Sequence, residues 1–314
     1  TMETQHEKYL QLINRAKAVK PTVTAVAHPC DESSLQAAVE AARLGLIEPI
    51  LVGPAARIRE VAEHANLDLS AFRQIDSAFS HESAARAVGL VRSGQAEVLM
   101  KGSLHTDELM AEVVKRDTGL RTARRVSHCF IMDVPGQPEP LIITDAAVNI
   151  APTLAEKMDI VQNAIDLVRD LGAPEARVAI LSAMETVNPE VPSTLEAAAL
   201  CKMADRRQIT GALVDGPLAL DNAIDLEAAR IKHISSPVAG HANVLVVPDL
   251  EAGNMLAKSL TFLAGADAAG IVVGAKAPII LTSRADSRVA RLASCAVASL
   301  LAEARRTRTL RAVG

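Results

Sequence analysis

The side chains best able to do chemistry stand directly after short apolar runs. Residues 278–281 (PIIL) hand over to Thr282, Ser283 and Arg284, with Asp286 two places on. Two hydroxyls and a guanidinium at the end of a strand, where a helix begins, suit a doubly charged oxyanion. An Arg at a helix start opposes the helix dipole and so calls for an anion beside it. The plainer reading makes Ser283 a cap and Arg284 a surface residue. KGSLHTDE follows residues 97–100, and there Lys101, Ser103, His105 and Thr106 offer donors while Gly102 lets backbone approach closely. That is an anion loop or an ordinary capped connection. RTARRVSH, residues 121–128, sets Arg125 and Ser127 before another apolar run. It reads as a phosphate clamp or a solvated loop. Asp145 and Asp215 each follow an apolar run, where a carboxylate serves as base, metal ligand or cap. His241 and Asn254 are ligand contacts or structural residues.

These residues need elements to carry them. Apolar, β-branched runs at 22–27, 49–52, 97–100, 129–133 and 141–144 predict strands, as do 177–181, 212–214, 244–247, 270–273 and 278–281. Several are apolar at successive positions, as in a sheet covered by helices on both faces. Helical patterns over 32–44, 107–115, 154–171, 191–203 and 287–304 lie between them. Asp31 is a good cap for the first, and Gly172 ends the third. The alternation predicts an α/β protein with mostly parallel sheets. Ligands then gather beyond the carboxyl ends of the strands. PGQPEP, residues 135–140, separates two strand-helix series and suggests a domain boundary.

Bulk properties narrow the class. The chain has 314 residues, 49% of them hydrophobic, enough for a sizeable core and two domains. Aromatics are 2% with no Trp, and the net charge is -4, so base stacking and a polyanion footprint are both disfavoured and no nucleic-acid partner is expected. Arg305, Arg306, Arg308 and Arg311 form a short basic tail, solvated or touching an anion. Cys30, Cys129, Cys201 and Cys295 show no CxxC or zinc spacing and read as free thiols in a reducing compartment, Cys129 and Cys295 in the core. No apolar run is long enough to span a membrane, so a cytoplasmic protein is expected. Thr1 before Met2 suggests an added residue or a cut from a longer polypeptide. There is no GxGxxG after the first strand, no GxxxxGK[ST], no GxSxG and no HExxH, which weakens nucleotide, esterase and zinc-protease readings.

KGSLHTDELM, RRVSHCFIMDVP, LIITDAAVNIAPTLAEKMDIVQNA, DGPLALDNA, LEAGNMLAKSL and PIILTSRADS, in this order over nearly the whole chain, resemble the phosphate acetyl/butyryltransferase family. The resemblance implies a two-domain fold like that of isocitrate and isopropylmalate dehydrogenases, with an active-site cleft between domains. The first domain would comprise residues 1–136 and 277–314, the second 137–276. It also implies a homodimer and reversible acyl transfer between phosphate and coenzyme A. Coenzyme A would be a substrate, with no permanently bound cofactor and no metal. Ser283 matches the family's serine and would bond the thiol or the transition-state oxygen. Arg284 would hold phosphate. Lys101, His105 and Thr106 lie in the matching loop, with Arg125 and Ser127 near a second phosphate-binding arginine. The family's acidic base falls where this chain has Val289 or Ala290. Asp286 serves instead, or Asp145 does, or the thiol loses its proton without a carboxylate. SRADS is closer to the butyryl branch, and the acyl length stays open. Two other readings compete: a metal- and nicotinamide-dependent dehydrogenase of the same fold acting on a phosphorylated hydroxy acid, and a non-catalytic coenzyme A-binding module.

Overall fold

The computed structural model describes residues 5–313, so the Thr1–Met2 start lies outside them. In chain order, α1 (Glu7–Lys17), β1 (Thr22–Ala27), α2 (Glu32–Arg43), β2 (Ile47–Gly53), α3 (Ala55–His64) and β3 (Arg73–Asp76) come first. Next are α4 (Ser80–Arg92), β4 (Val98–Lys101), α5 (Thr106–Val113), β5 (Ser127–Asp133), β6 (Leu141–Thr144), α6 (Leu154–Asp170) and β7 (Ala176–Leu181). The chain continues through α7 (Pro192–Asp205), β8 (Ala212–Leu218), α8 (Leu220–Ile224), α9 (Leu226–Ile231) and β9 (Val244–Val246). It closes with α10 (Leu250–Ala264), β10 (Asp267–Val273), β11 (Ile279–Ile280) and α11 (Arg288–Val313). This is the α/β class expected. Among the described residues no helix is long and apolar enough to cross a membrane.

Two compact units divide the chain. A flanking unit is built from His6–Arg124 and Ala269–Gly314, and a middle unit from Arg125–Ala268. These divisions fall at 124/125 and 268/269, not at 136/137 and 276/277. PGQPEP is the connection of a β-hairpin: β5 and β6 pair antiparallel with Met132 opposite Leu141. Proline and glycine there make a turn inside the middle unit.

In the flanking unit the strand order is β3-β2-β1-β4-β11-β10. All neighbours run parallel except β10 and β11. The chain winds outward from β1 through β2 to β3, then returns to place β4 on the other side of β1. This is a topological switch point, where a crevice opens beyond the strand ends. Asp31 caps α2 by accepting from the N–H of Ser34, and Leu35, Ala38 and Val39 form its buried face. The first half of α11 is buried on nearly every side, through Ala302, which its small residues permit. Tyr9, the chain's one tyrosine, is fully buried on α1, and its hydroxyl accepts from the N–H of Ala269 at 2.7 Å.

In the middle unit the order is β5-β6-β9-β7-β8, parallel except for β5 and β6. Its core joins Met132, Leu141, Ile143, Leu181, Leu218, Leu245 and Ala257. Each large apolar side chain so buried contributes about 1.5–3 kcal/mol. Thr153 caps α6 by accepting from the N–H of Glu156. All four cysteines are free, and Cys129 and Cys295 are core residues as expected.

Candidate active site

Three strand tips of the flanking unit carry most of the expected residues. β1, β4 and β11 are neighbours, with Ala27 opposite Lys101 and Ile280 opposite Met100. Beyond β11 the chain does not enter a helix at once. Residues 283–286 make a turn, and α11 starts at Arg288. Ser283 and Asp286 are closed on each other: Oδ2 of Asp286 accepts from the N–H of Ser283 at 2.9 Å and Oδ1 from its hydroxyl at 3.2 Å. The expected cradle of helix-start N–H groups is therefore replaced by a turn whose first N–H is already used. Ser283 is exposed, and its hydroxyl, which donates to that carboxylate, also accepts from the N–H of Ala285 at 3.2 Å.

Arg284 has found an anion. Its Nε and Nη2 donate to Oδ2 of Asp31 at 3.1 and 2.9 Å. Asp31 is fixed in turn by Ser34, whose N–H and hydroxyl donate to Oδ1 at 2.9 and 2.5 Å. Burial pushes the Asp31 carboxyl up, but the bonds from Ser34 and Arg284 outweigh it and leave its pKa below the ordinary value. Lys101 lies half-buried in the same field, its Nζ donating to the carbonyls of Gly102 and Leu104 at 3.2 Å each. Burial lowers its pKa, Asp31 and Asp286 oppose that, and Arg284 adds to it.

Two residues of the Lys101 loop, Ser103 and Gly102, are engaged with the loop after β1. Ser103 donates its hydroxyl to the carbonyl of His28 at 2.8 Å and accepts from the N–H of Cys30 at 3.3 Å. Both its bonding directions serve the loop after β1. At Gly102 a Cβ would stand 2.3 Å from the carbonyl oxygen of Ala27, so its glycine allows strand-to-loop contact, not ligand approach. His105 and Thr106 are exposed at the start of α5, and the His105 side chain makes no capping bond.

Arg125, Ser127, Asp145 and Asp215 belong to the middle unit. The Nε of Arg125 lies against Oδ1 of Asn149 and 2.8 Å from Oε2 of Glu156, and its N–H donates to Asp159. Ser127 is fully buried and accepts from Asn163 at 2.9 Å, which removes it from substrate contact. Asp145 is saturated: Oδ1 takes the N–H groups of Ala147 and Val148, and Oδ2 those of Asn149 and His128 and the Asn149 side chain. Such a carboxylate organises its loop and is not a free base. Asp215 lies inside β8, not after its end, and Oδ1 accepts from the N–H of Gly216. His241 gives its carbonyl to Arg177, and Asn254 sits half-buried in α10.

Two residues that the sequence did not single out for function stand out here. Asp31 reads as a cap, yet it also holds Arg284. His28, in the left-handed region at φ 60°, bonds through Nδ1 to Ser83 at 2.8 Å, and Ser83 reaches Ser77 at 2.6 Å. Burial lowers the His28 pKa, helped by Arg57 and opposed by Glu108. The signal for both was position, since they directly follow β1. Among the described residues no three His, Cys, Asp or Glu side chains gather as a metal ion would require.

A mostly parallel α/β unit with basic and hydroxyl side chains at a switch point defines an α/β class whose ligands bind beyond the carboxyl ends of the strands. Comparison with known proteins narrows this. Residues 78–299 match the model of the phosphate acetyl/butaryl transferase family. A phosphate acetyltransferase of Rhizobium meliloti is 65% identical over 309 residues, covering 98% of each chain. A phosphate butyryltransferase of Clostridium beijerinckii is 41% identical over 93% of this chain and 97% of its own. Among solved structures, a branched-chain phosphotransacylase from Enterococcus faecalis superimposes with TM-score 0.79 at 32% identity, over 90% of this chain and 99% of that one. The chain belongs to the phosphate acetyl/butaryl transferase family.

Proposed function

We propose that the chain catalyses reversible transfer of an acyl group, acetyl in the first place, between phosphate and coenzyme A. The supporting observation is the grouping of Ser283, Arg284 and Lys101 at the tips of adjacent strands, in a chain 65% identical to a phosphate acetyltransferase. Its membership of a transferase family stands against the dehydrogenase and binding-module readings.

The chemistry follows from the bonds that change. The coenzyme A sulfur bonds to the acyl carbonyl carbon, the bond from that carbon to the phosphate oxygen breaks, and the thiol proton ends on the departing phosphate. Arg284 and Lys101 hold the phosphate and the charge that builds on it, the contribution that preorganised donors make to catalysis. The Ser283 hydroxyl bonds the thiol. Asp286, 3.2 Å behind that hydroxyl, takes the proton in passing. Asp145 has no part in this, its oxygens being taken by five N–H groups. No electron changes hands, so coenzyme A, acyl phosphate and phosphate are the small-molecule partners that the reaction needs. We place the working enzyme in the cytoplasm, as a homodimer whose mass sedimentation of the purified chain tests.

The function is tested by mixing the protein with acetyl phosphate and coenzyme A and following thioester absorbance. Thioester formation is expected. None with acetyl phosphate or with butyryl phosphate would overturn the assignment.

A further inference from the structure

We propose that Asp31 is a positioning residue for phosphate: it takes the Nε and Nη2 donors of Arg284 and so aims the remaining Nη1 end of the guanidinium at the substrate. The proposal rests on the transferase reading and assigns a task within the same site.

The two residues are 253 positions apart in sequence, and the pair joins the loop after β1 to the turn after β11, on either side of β4. The Arg284 side chain is 79% exposed, and a long side chain in water has many rotamers to choose from. Asp31 is only 21% exposed and is held by two bonds from Ser34. A rigid carboxylate therefore anchors a mobile cation. Both Arg284 bonds fall on the same oxygen, Oδ2, and engage one edge of the guanidinium. Nη1 is left out of the pair, and a guanidinium fork needs only two donors to meet a phosphate.

Neither of the other tasks open to Asp31 needs its charge. As the cap of α2 it supplies an oxygen to the N–H of Ser34, and asparagine caps as well as aspartate. As a surface ion pair it adds little stability. Holding Arg284 is the task that uses the second oxygen and the negative charge. Lys101 ends β4, the strand between β1 and β11, and so stands between the two segments that carry the pair.

The test is Asp31→Asn, which keeps the cap and removes the charge. Rates are measured from acetyl-CoA plus inorganic phosphate, with both substrates varied. The KM for phosphate is expected to rise about tenfold, the lower end of what one charge-assisted hydrogen bond contributes, with the KM for acetyl-CoA and the Tm unchanged. In an Arg284→Lys background the same change is expected to add nothing, because an ammonium has no guanidinium edge to aim. A phosphate KM that stays the same or falls, or an equal loss in both backgrounds, overturns the proposal while the transferase reading stands. A wild-type chain with no turnover sinks that reading and this proposal together.

Discussion

The strand tips of the flanking unit and the Asp145 loop of the middle unit are built from the same residue types, an Arg, acids and hydroxyls after apolar strands. They differ in what is left over. Around Asp145 every oxygen is met by an N–H group and Ser127 is sealed under Asn163, while Arg125, half-exposed, is held at Nε by Asn149 and Glu156. At the tips, Asp286 takes only the N–H and hydroxyl of Ser283, Ser283 and Arg284 are exposed, and Lys101 leans on two carbonyls. Composition is thus a poor guide to a binding site, and spare bonding capacity in the open is a better one.

The comparison can be broken at several points. The largest effect should come from Asp145→Ala, which strands several buried N–H groups and costs about 3–5 kcal/mol of stability, read by denaturant unfolding. Little loss would mean that the closed loop is not structural. Next is Arg284→Ala, expected to lower kcat/KM on the order of a hundredfold, as loss of a charged oxyanion donor does. Its Tm should hold, since an exposed ion pair contributes little. A normal rate, or a collapsed Tm, would erase the contrast with Asp145. A third effect, seen only on acidification, concerns His128, whose buried Nδ1 has no hydrogen-bond partner among the described residues and whose pKa burial pushes down to about 4, with Asp145 opposing. Below its ordinary value of 6.5 the unfolded chain takes up a proton that the folded one refuses. Stability contributed here is full above about pH 6.5 and falls by roughly 1.4 kcal/mol per pH unit toward pH 4. His128→Leu should flatten that part of the stability curve, and an unchanged slope would assign the acid sensitivity elsewhere.

Much of the scaffold is legible in the sequence, and the exceptions have physical causes. β1 and β6 fall where apolar β-branched runs predict them, at 22–27 and 141–144. β3 (RQID) is an exposed edge strand with no apolar run to betray it. β8 continues through Asp215, Gly216 and Pro217, which look like a turn. As an edge strand it can carry a proline, whose missing N–H leaves no partner unpaired, and the close approach of Ile180 leaves no room for a side chain at Gly216. At the proposed site, Ser283, Arg284 and Lys101 are legible because they end or follow strands. Ser103 and Gly102 follow one too, but only coordinates reveal that their bonding and space are taken up by the loop after β1. Asp31 hides for the opposite reason, since a cap explains it locally and its second partner lies at the far end of the chain.

Tyr9 has a practical bearing on how the molecule can be watched. With no tryptophan and a single tyrosine locked against Ala269, ultraviolet emission comes from one phenol in the flanking unit. Melting of that unit should change the light, whereas loosening of the middle unit alone should leave it dark to the fluorimeter. Comparing emission with far-ultraviolet dichroism on one heating ramp would therefore reveal whether both halves let go together.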